Sequence, residues 1–395
     1  MQFGRQFLNE WMFEDGLVYL NHGTVGATPR IVMAAQQAIR DDMARQPSRF
    51  VLRDLGAHTS MTRTRPRPYL REAADRVGAF LGARGDDLVF VDNVTTGANA
   101  VAQSFPLAPG DEILVSEFGY GGVTHAAIHA ARRAGATVTT ATMPYPVTGP
   151  DAVVDAFEAA VGPRTKLAIV DHVTAQTALL LPIAEIVRRL RARGVAVLVD
   201  GAHVPGAIAL DIESIGADYY VGNLHKWMWT PMSSGILWAA PERQATLRAL
   251  VASWGFDGTF HEAFDTPGTR DASAHLSAPA ALDLMERWGV DAIQRYNHAL
   301  AWTAARHLST AWGQPFDPPE SMVATMATVR LPAALGSTMA EAREVRDRLL
   351  FDHHIEAPVH AMKEQLWLRV SAQVYNEMSD IERLAEAVGG LARAA

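Results

Sequence analysis

Two charged residues in the middle of the chain each follow a short apolar run. Val195 to Val199 is unbroken in the way a strand buried on both faces requires, and it stops at Asp200. Tyr219 to Val221 is a second such run, followed by Gly222, Asn223, Leu224, His225 and Lys226. In one α/β sheet, Asp200 and Lys226 emerge together at the carboxyl edge, where such sheets bind ligands. An acid and an amine placed this way suit pyridoxal phosphate, which takes a lysine for its Schiff base and a carboxylate opposite its pyridinium nitrogen. A strand-end aspartate capping a turn and a surface lysine fit the spacing equally well, so both readings stay open on spacing alone.

The elements that must position these groups alternate. Strands are expected at Leu88 to Val91, Glu112 to Val115, Thr137 to Thr142 and Leu167 to Asp171, and again at Ile236 to Ala239, where the sheet is expected to close. Helices are expected over Arg30 to Arg45, Pro68 to Leu81, Val123 to Ala134, Asp151 to Val161 and Ile183 to Arg193. This βαβα order implies a largely parallel sheet with right-handed crossovers. Helices from Ala278 to Trp288 and from Asp291 to about Ser309 then lead to strands Val323 to Leu331 and Leu366 to Val370 in a smaller unit.

The wording of the central segment adds a family. VDGAHVPG, a short strand and a His-Lys pair resemble the class V aminotransferases of the fold-type I pyridoxal phosphate enzymes, and most of all the isopenicillin N epimerase-like branch. The resemblance implies an α/β fold of type I. Its large domain has a mostly parallel mixed sheet flanked by helices, over residues 26–275. A smaller α+β C-terminal domain is made of residues 1–25 and 276–395.

The resemblance also implies roles along the chain. Thr95 and Thr96, at the start of a helix where unpaired N–H groups and the dipole favour an anion, match the phosphate cradle. Tyr120 is the aromatic expected to stack on the cofactor ring, or else a tyrosine packed in a glycine-rich turn. Gln176 lies in a loop similar to the relatives' HVTSxT and is expected beside the cofactor's 3-oxygen. Related cysteine desulfurases carry an asparagine where this chain has Ala175, so the contact that asparagine makes is not expected here. His203 is a partner for the phenolic oxygen, and Asn223 and His225 are phosphate ligands, with Asp200 and Lys226 at the electronic centre.

Gly268 and Thr269, in a GTRD element, are expected to reach the phosphate of a neighbouring subunit, which implies a homodimer with active sites at the interface. Arg369 begins RxSxxxYN, which resembles the family's carboxylate-binding strand; its planar fork suits the α-carboxylate of an amino-acid substrate, a salt-bridged structural arginine being the alternative. YLNHGTVGATP resembles the segment across the mouth of the active site. Asn21 and His22 are therefore candidates to face substrate, or else part of a polar turn before a helix.

Composition bounds the rest. A chain of 395 residues, 49% hydrophobic and 20% charged, has ample material for a core. A net charge of -8 gives no basic excess to neutralise nucleic acid or anionic membranes, and the cluster Arg63, Arg65, Arg67 and Arg71 reads as a solvated helix approach. No apolar run reaches the length of a membrane span and the first residues lack a signal-peptide core, so a cytoplasmic protein is expected. There is no cysteine, which excludes disulfides and thiolate metal sites, and no metal is expected.

The missing thiol also argues against a desulfurase that takes sulfur onto its own cysteine as a persulfide. Epimerisation at Cα is the expected reaction, with cysteine-independent C–S lysis or transamination as alternatives. A non-catalytic cofactor-binding protein is the reading of a different class, and no DNA-binding module supports it.

Overall fold

The structure, a computed structural model, describes residues 2–394. Its large sheet has seven strands in the order β2-β8-β7-β6-β5-β3-β4. These are β2 (Leu88–Val91), β3 (Glu112–Ser116), β4 (Thr137–Ala141), β5 (Thr165–Asp171), β6 (Ala196–Gly201), β7 (Tyr219–Asn223) and β8 (Gly235–Ala239). Only β8 runs against the others. The apolar runs at β5 and β6 are buried along their length because helices cover both faces, as a parallel sheet demands.

The flanking helices include α1 (Arg30–Arg45), α2 (Tyr69–Phe80), α3 (Val94–Ser104), α4 (Gly121–Ala134), α5 (Pro150–Ala160) and α6 (Ile183–Ala192). The sequence places β8 as the closing strand. It lies instead between β2 and β7, and β2, the first strand of the sheet in the chain, forms the edge. Antiparallel pairing on both sides of β8 brings β2 in beside it, so that Val91 faces Gly235 in register.

Helices α7 (Ala278–Trp288) and α8 (Val290–Ala311) lead to a three-stranded antiparallel sheet, β11-β12-β9, made of β9 (Met326–Arg330), β11 (Val359–Met362) and β12 (Gln365–Ser371). It packs with α9 (Met339–His353) and α10 (Met378–Ala394) around its own core, which includes Leu308, Leu349, Leu368 and Val388. The N-terminal strand β1 (Val18–Tyr19) joins this part of the molecule by pairing in parallel with β10 (Ile355–Glu356). Residues 21–29, expected as a loop, contain a single helical turn, His22–Val25.

The arginine cluster is not a solvated approach. Arg71 is buried, paired with Asp265 at 2.8 Å and donating to the carbonyl of Leu88. Arg65 and Arg67 are engaged by Glu72, Asp75 and Asp86. The expectation read charge without its partners, one of which lies 194 residues away in sequence.

Candidate active site

Five strands, β2, β3, β5, β6 and β7, deliver their carboxyl ends to one cavity of about 610 Å³, and β11 and β12 close it from the other side. Asp200, at the end of β6, is 2% exposed. Its Oδ1 accepts the backbone N–H of Ala202 at 2.9 Å, and its Oδ2 has no partner. Burial raises the Asp200 carboxyl above the usual range, opposed by that N–H and by the charge of Lys226. Lys226 is three residues past the end of β7, and its Nζ lies 3.5 Å from Nε2 of His203. Burial, then the positive charge of Arg369, lower the lysine to about 7, with Asp200 pulling the other way. His203 is held well below its ordinary value by burial and by Lys226 and Arg369, and its Nδ1 is also unpartnered.

Next to this centre is the start of α3. Asn93 caps it by accepting the N–H of Thr96 at 3.0 Å, and Asn223 Oδ1 accepts the N–H of Val94 at 2.9 Å. These contacts decide which threonine faces the cavity. Thr95 lines it, whereas Thr96 does not, because its hydroxyl turns back to Asn93. His225 also lines the cavity and directs Nδ1 at the carbonyl of Ser234, 2.9 Å away. Tyr120, 49% exposed, and Gln176 line it as well.

Arg369, on β12, is 4% exposed and enters from the small sheet. Its Nη1 donates to the carbonyl of Ala175, and its Nη2 to Thr24 Oγ1 at 2.7 Å and Asn21 Oδ1 at 3.3 Å, while Nε has no partner. Burial lowers it to about 10, so it keeps its charge near neutral pH. No carboxylate is paired with it among the described residues, so it is not a salt-bridged structural arginine.

Asn21 and His22 do not line the cavity. Asn21 is turned to Arg369 and to Glu356, 2.8 Å away. His22 is buried beneath the lysine, with Nε2 donating to the carbonyl of Lys226 at 3.0 Å and Nδ1 accepting from Tyr375 at 2.9 Å. Burial holds it neutral, at about 4. The family segment therefore supports the site from behind at these two positions, and Thr24 takes the place facing the cavity. Gly268 and Thr269 lie on an exposed bend outside the cavity of their own chain, beyond the short helix Phe260–Asp265.

Gly26 is where this segment touches the lysine loop. It has φ of 74°, and a Cβ there would meet the carbonyl oxygen of His225 at 1.9 Å. Gly26→Ala is expected to cost about 1–3 kcal/mol through strain and displaced backbone, read as a lower Tm and reduced cofactor content.

Several cavity residues were not selected from the sequence as site residues. Asp171, at the end of β5, obeys the same strand-exit rule as Asp200 and was legible on that ground. Asn93, Phe118, Ser233 and His360 carry no comparable local signal.

The fit to pyridoxal phosphate rests on the groups without partners. Asp200 Oδ2 and His203 Nδ1 are buried polar atoms awaiting a ligand, a hydroxyl and a helix start face the same space, and an amine titrating near neutrality stands beside them. Thr95→Val is expected to weaken pyridoxal phosphate binding roughly tenfold, the effect of one hydrogen bond to a charged group, and Thr96→Val to leave it near wild type in equilibrium titration.

The family model for aminotransferase class-V matches residues 18–384. The chain is 33% identical over 400 residues to the isopenicillin N epimerase of Amycolatopsis lactamdurans, covering 96% of each. It is 31% identical over 403 residues to a protein of Arabidopsis thaliana named as a probable chloroplastic L-cysteine desulfhydrase, covering 95% of this chain and 82% of the other. Its fold matches that of a C-DES variant with glycine covalently linked to its pyridoxal phosphate cofactor, with a TM-score of 0.76 at 21% identity over 95% of this chain and 96% of that one.

Proposed function

The chain belongs to the aminotransferase class-V family of pyridoxal phosphate enzymes, and on that premise we propose that it epimerises an amino acid at Cα, a reading supported by its similarity to isopenicillin N epimerases. The observation that favours this reaction is the 33% identity to an isopenicillin N epimerase over 96% of each chain, and the first step, shared by all reactions at Cα, falls to the lysine. At about 7, Lys226 is substantially a neutral amine near neutral pH, able to accept the α-proton as a general base. The cofactor, when bound, supplies an electron sink for the charge left at Cα.

The chain's own residues do the rest. Asp200 would present its unpartnered oxygen to the ring nitrogen, and Tyr120 would cover the ring. His203 and Gln176, which line the cavity, would flank the phenolic oxygen. Thr95, Asn223 and His225 would hold the phosphate at the start of α3, with Gly268 and Thr269 of a second copy completing it in a homodimer. Arg369 fixes the α-carboxylate. Residues 26–275 form the cofactor-binding unit, and 1–25 with 276–395 the part that brings Arg369 to it.

A second reading, elimination of a β-substituent from a cysteine-like substrate, is favoured by similarity to the desulfhydrase. In either case the sulfur cannot be taken up as a persulfide on this chain, which has no cysteine. Incubating the holoenzyme with L-amino acids and S-substituted cysteines in deuterated water tests the choice. Epimerisation is expected to place solvent deuterium at Cα and give the D-epimer without keto acid. Pyruvate and ammonia would instead establish elimination, and a keto acid with retained nitrogen on the cofactor would establish transamination.

A further inference from the structure

The floor of the cavity holds a second buried acid that the reaction above does not use. Asp171 and Asp200 are register partners on neighbouring parallel strands, β5 and β6, and both line the cavity. They are 4% and 2% exposed, and among the described residues no cation lies within 4.0 Å of either carboxyl. Two buried carboxylates on adjacent register positions of one cavity disfavour each other's charge, which favours a proton on one of them.

Which one holds it follows from their partners. Asp200 has the N–H of Ala202 on Oδ1, which favours its anion. Asp171 has the charge of Asp200 against it in addition to burial, offset mainly by the backbone N–H of Tyr120.

The other titratable groups nearby do not change this order. His172, the next residue on Asp171's own chain segment, is buried and neutral, and it shares a hydrogen bond with Tyr220 of β7, whose phenol burial keeps protonated. From β3, the carboxylate of Glu117 is taken by Lys363 at 3.0 Å and by the N–H of Met143. His203 stays neutral.

We propose that Asp171 is the proton-holding partner of Asp200: by carrying the proton of the pair, it leaves Asp200 as the single carboxylate, free to face the ring nitrogen. Asp171 is thus a positioning residue that acts through Asp200. It rests on the cofactor reading above, and it adds that the electron-withdrawing state of the site is lost when the proton is placed on the wrong member of the pair. The pair would need no cation of its own, because a protonated ring nitrogen would supply the positive charge facing Asp200.

Infrared difference spectroscopy of the holoenzyme near neutral pH tests this. A neutral carboxyl C=O band, recognised by its shift in deuterated water, is expected in the wild type and is expected to be lost in Asp171→Asn. That variant, which mimics the protonated form, is expected to keep the ring nitrogen protonated by ¹⁵N NMR of labelled cofactor. On alkaline titration, the wild type's visible band is expected to shift as the infrared band disappears, with no shift at that midpoint in the variant. A carbonyl band that survives in Asp171→Asn, or a ring nitrogen that loses its proton there, overturns the proposal. The failure of the wild type to form any visible cofactor band would overturn the cofactor reading itself, which distinguishes the two.

Discussion

Lys226→Ala is expected to abolish exchange of the α-proton, with kcat falling by about 10³-fold or more, the scale set by loss of a general base that also holds the cofactor. The amine is buried three residues past the end of β7, and its recorded side-chain hydrogen-bond partner among the described residues is His203 Nε2, at 3.5 Å. His203 titrates too low to replace it as a base of comparable strength. The measurement is loss of deuterium incorporation in quenched reactions, alongside a retained Tm that shows the fold intact. A variant that still exchanged the proton at near wild-type rate would remove Lys226 from the mechanism. Exogenous small amines are expected to restore part of the rate, since the side chain's removal leaves room at a cavity wall.

Arg369→Gln is the second large effect. Truncating a buried charged partner of a carboxylate costs about 3 kcal/mol, or roughly 10²-fold in kcat/KM, mostly through KM. The substitution has a further signature in pH. The positive charge of Arg369 lowers the Lys226 ammonium; removing it moves that group up from about 7. The neutral amine then becomes available only at higher pH, so the acid limb of kcat, which reports the complex with substrate, is expected to move toward alkaline values. An unmoved acid limb would show that the arginine's field does not reach the lysine. The variant also loses its bonds to Ala175, Thr24 and Asn21, so thermal unfolding must be followed beside the kinetics.

The floor of the cavity was legible in the sequence because the rule behind it is local: an apolar run buried on both faces ends where a polar residue begins, and Asp200 and Lys226 follow such runs. Helix α1 was bounded at Arg30 and Arg45 for a similar reason, its entry set by Pro29. What was not legible depends on direction or on distance. Thr95 and Thr96 are equivalent as letters, and only the bond from Asn93 to the N–H of Thr96 fixes the phase that turns one inward. His22 reads as a polar residue in a turn until Tyr375, 353 positions later, and the carbonyl of Lys226 are found on its two nitrogens. The interior position of β8 was missed because an apolar run states that a strand is covered, not which neighbours cover its edges.

The pairing of Val18–Tyr19 with Ile355–Glu356 and the support of Lys226 by His22 have a consequence for how the molecule is made. A nascent chain synthesised as far as β8 already carries Asp200, Lys226 and all seven strands of the large sheet. It does not yet carry Arg369 to bind Asn21 and Thr24, or Tyr375 to hold His22. Residues near the amino end must therefore wait for partners translated more than three hundred codons later, and closing so long a loop is slow. The lysine is in place early in synthesis, while the residues that support it and the guanidinium of Arg369 arrive almost at the end, so the cavity is completed only in the last steps of folding.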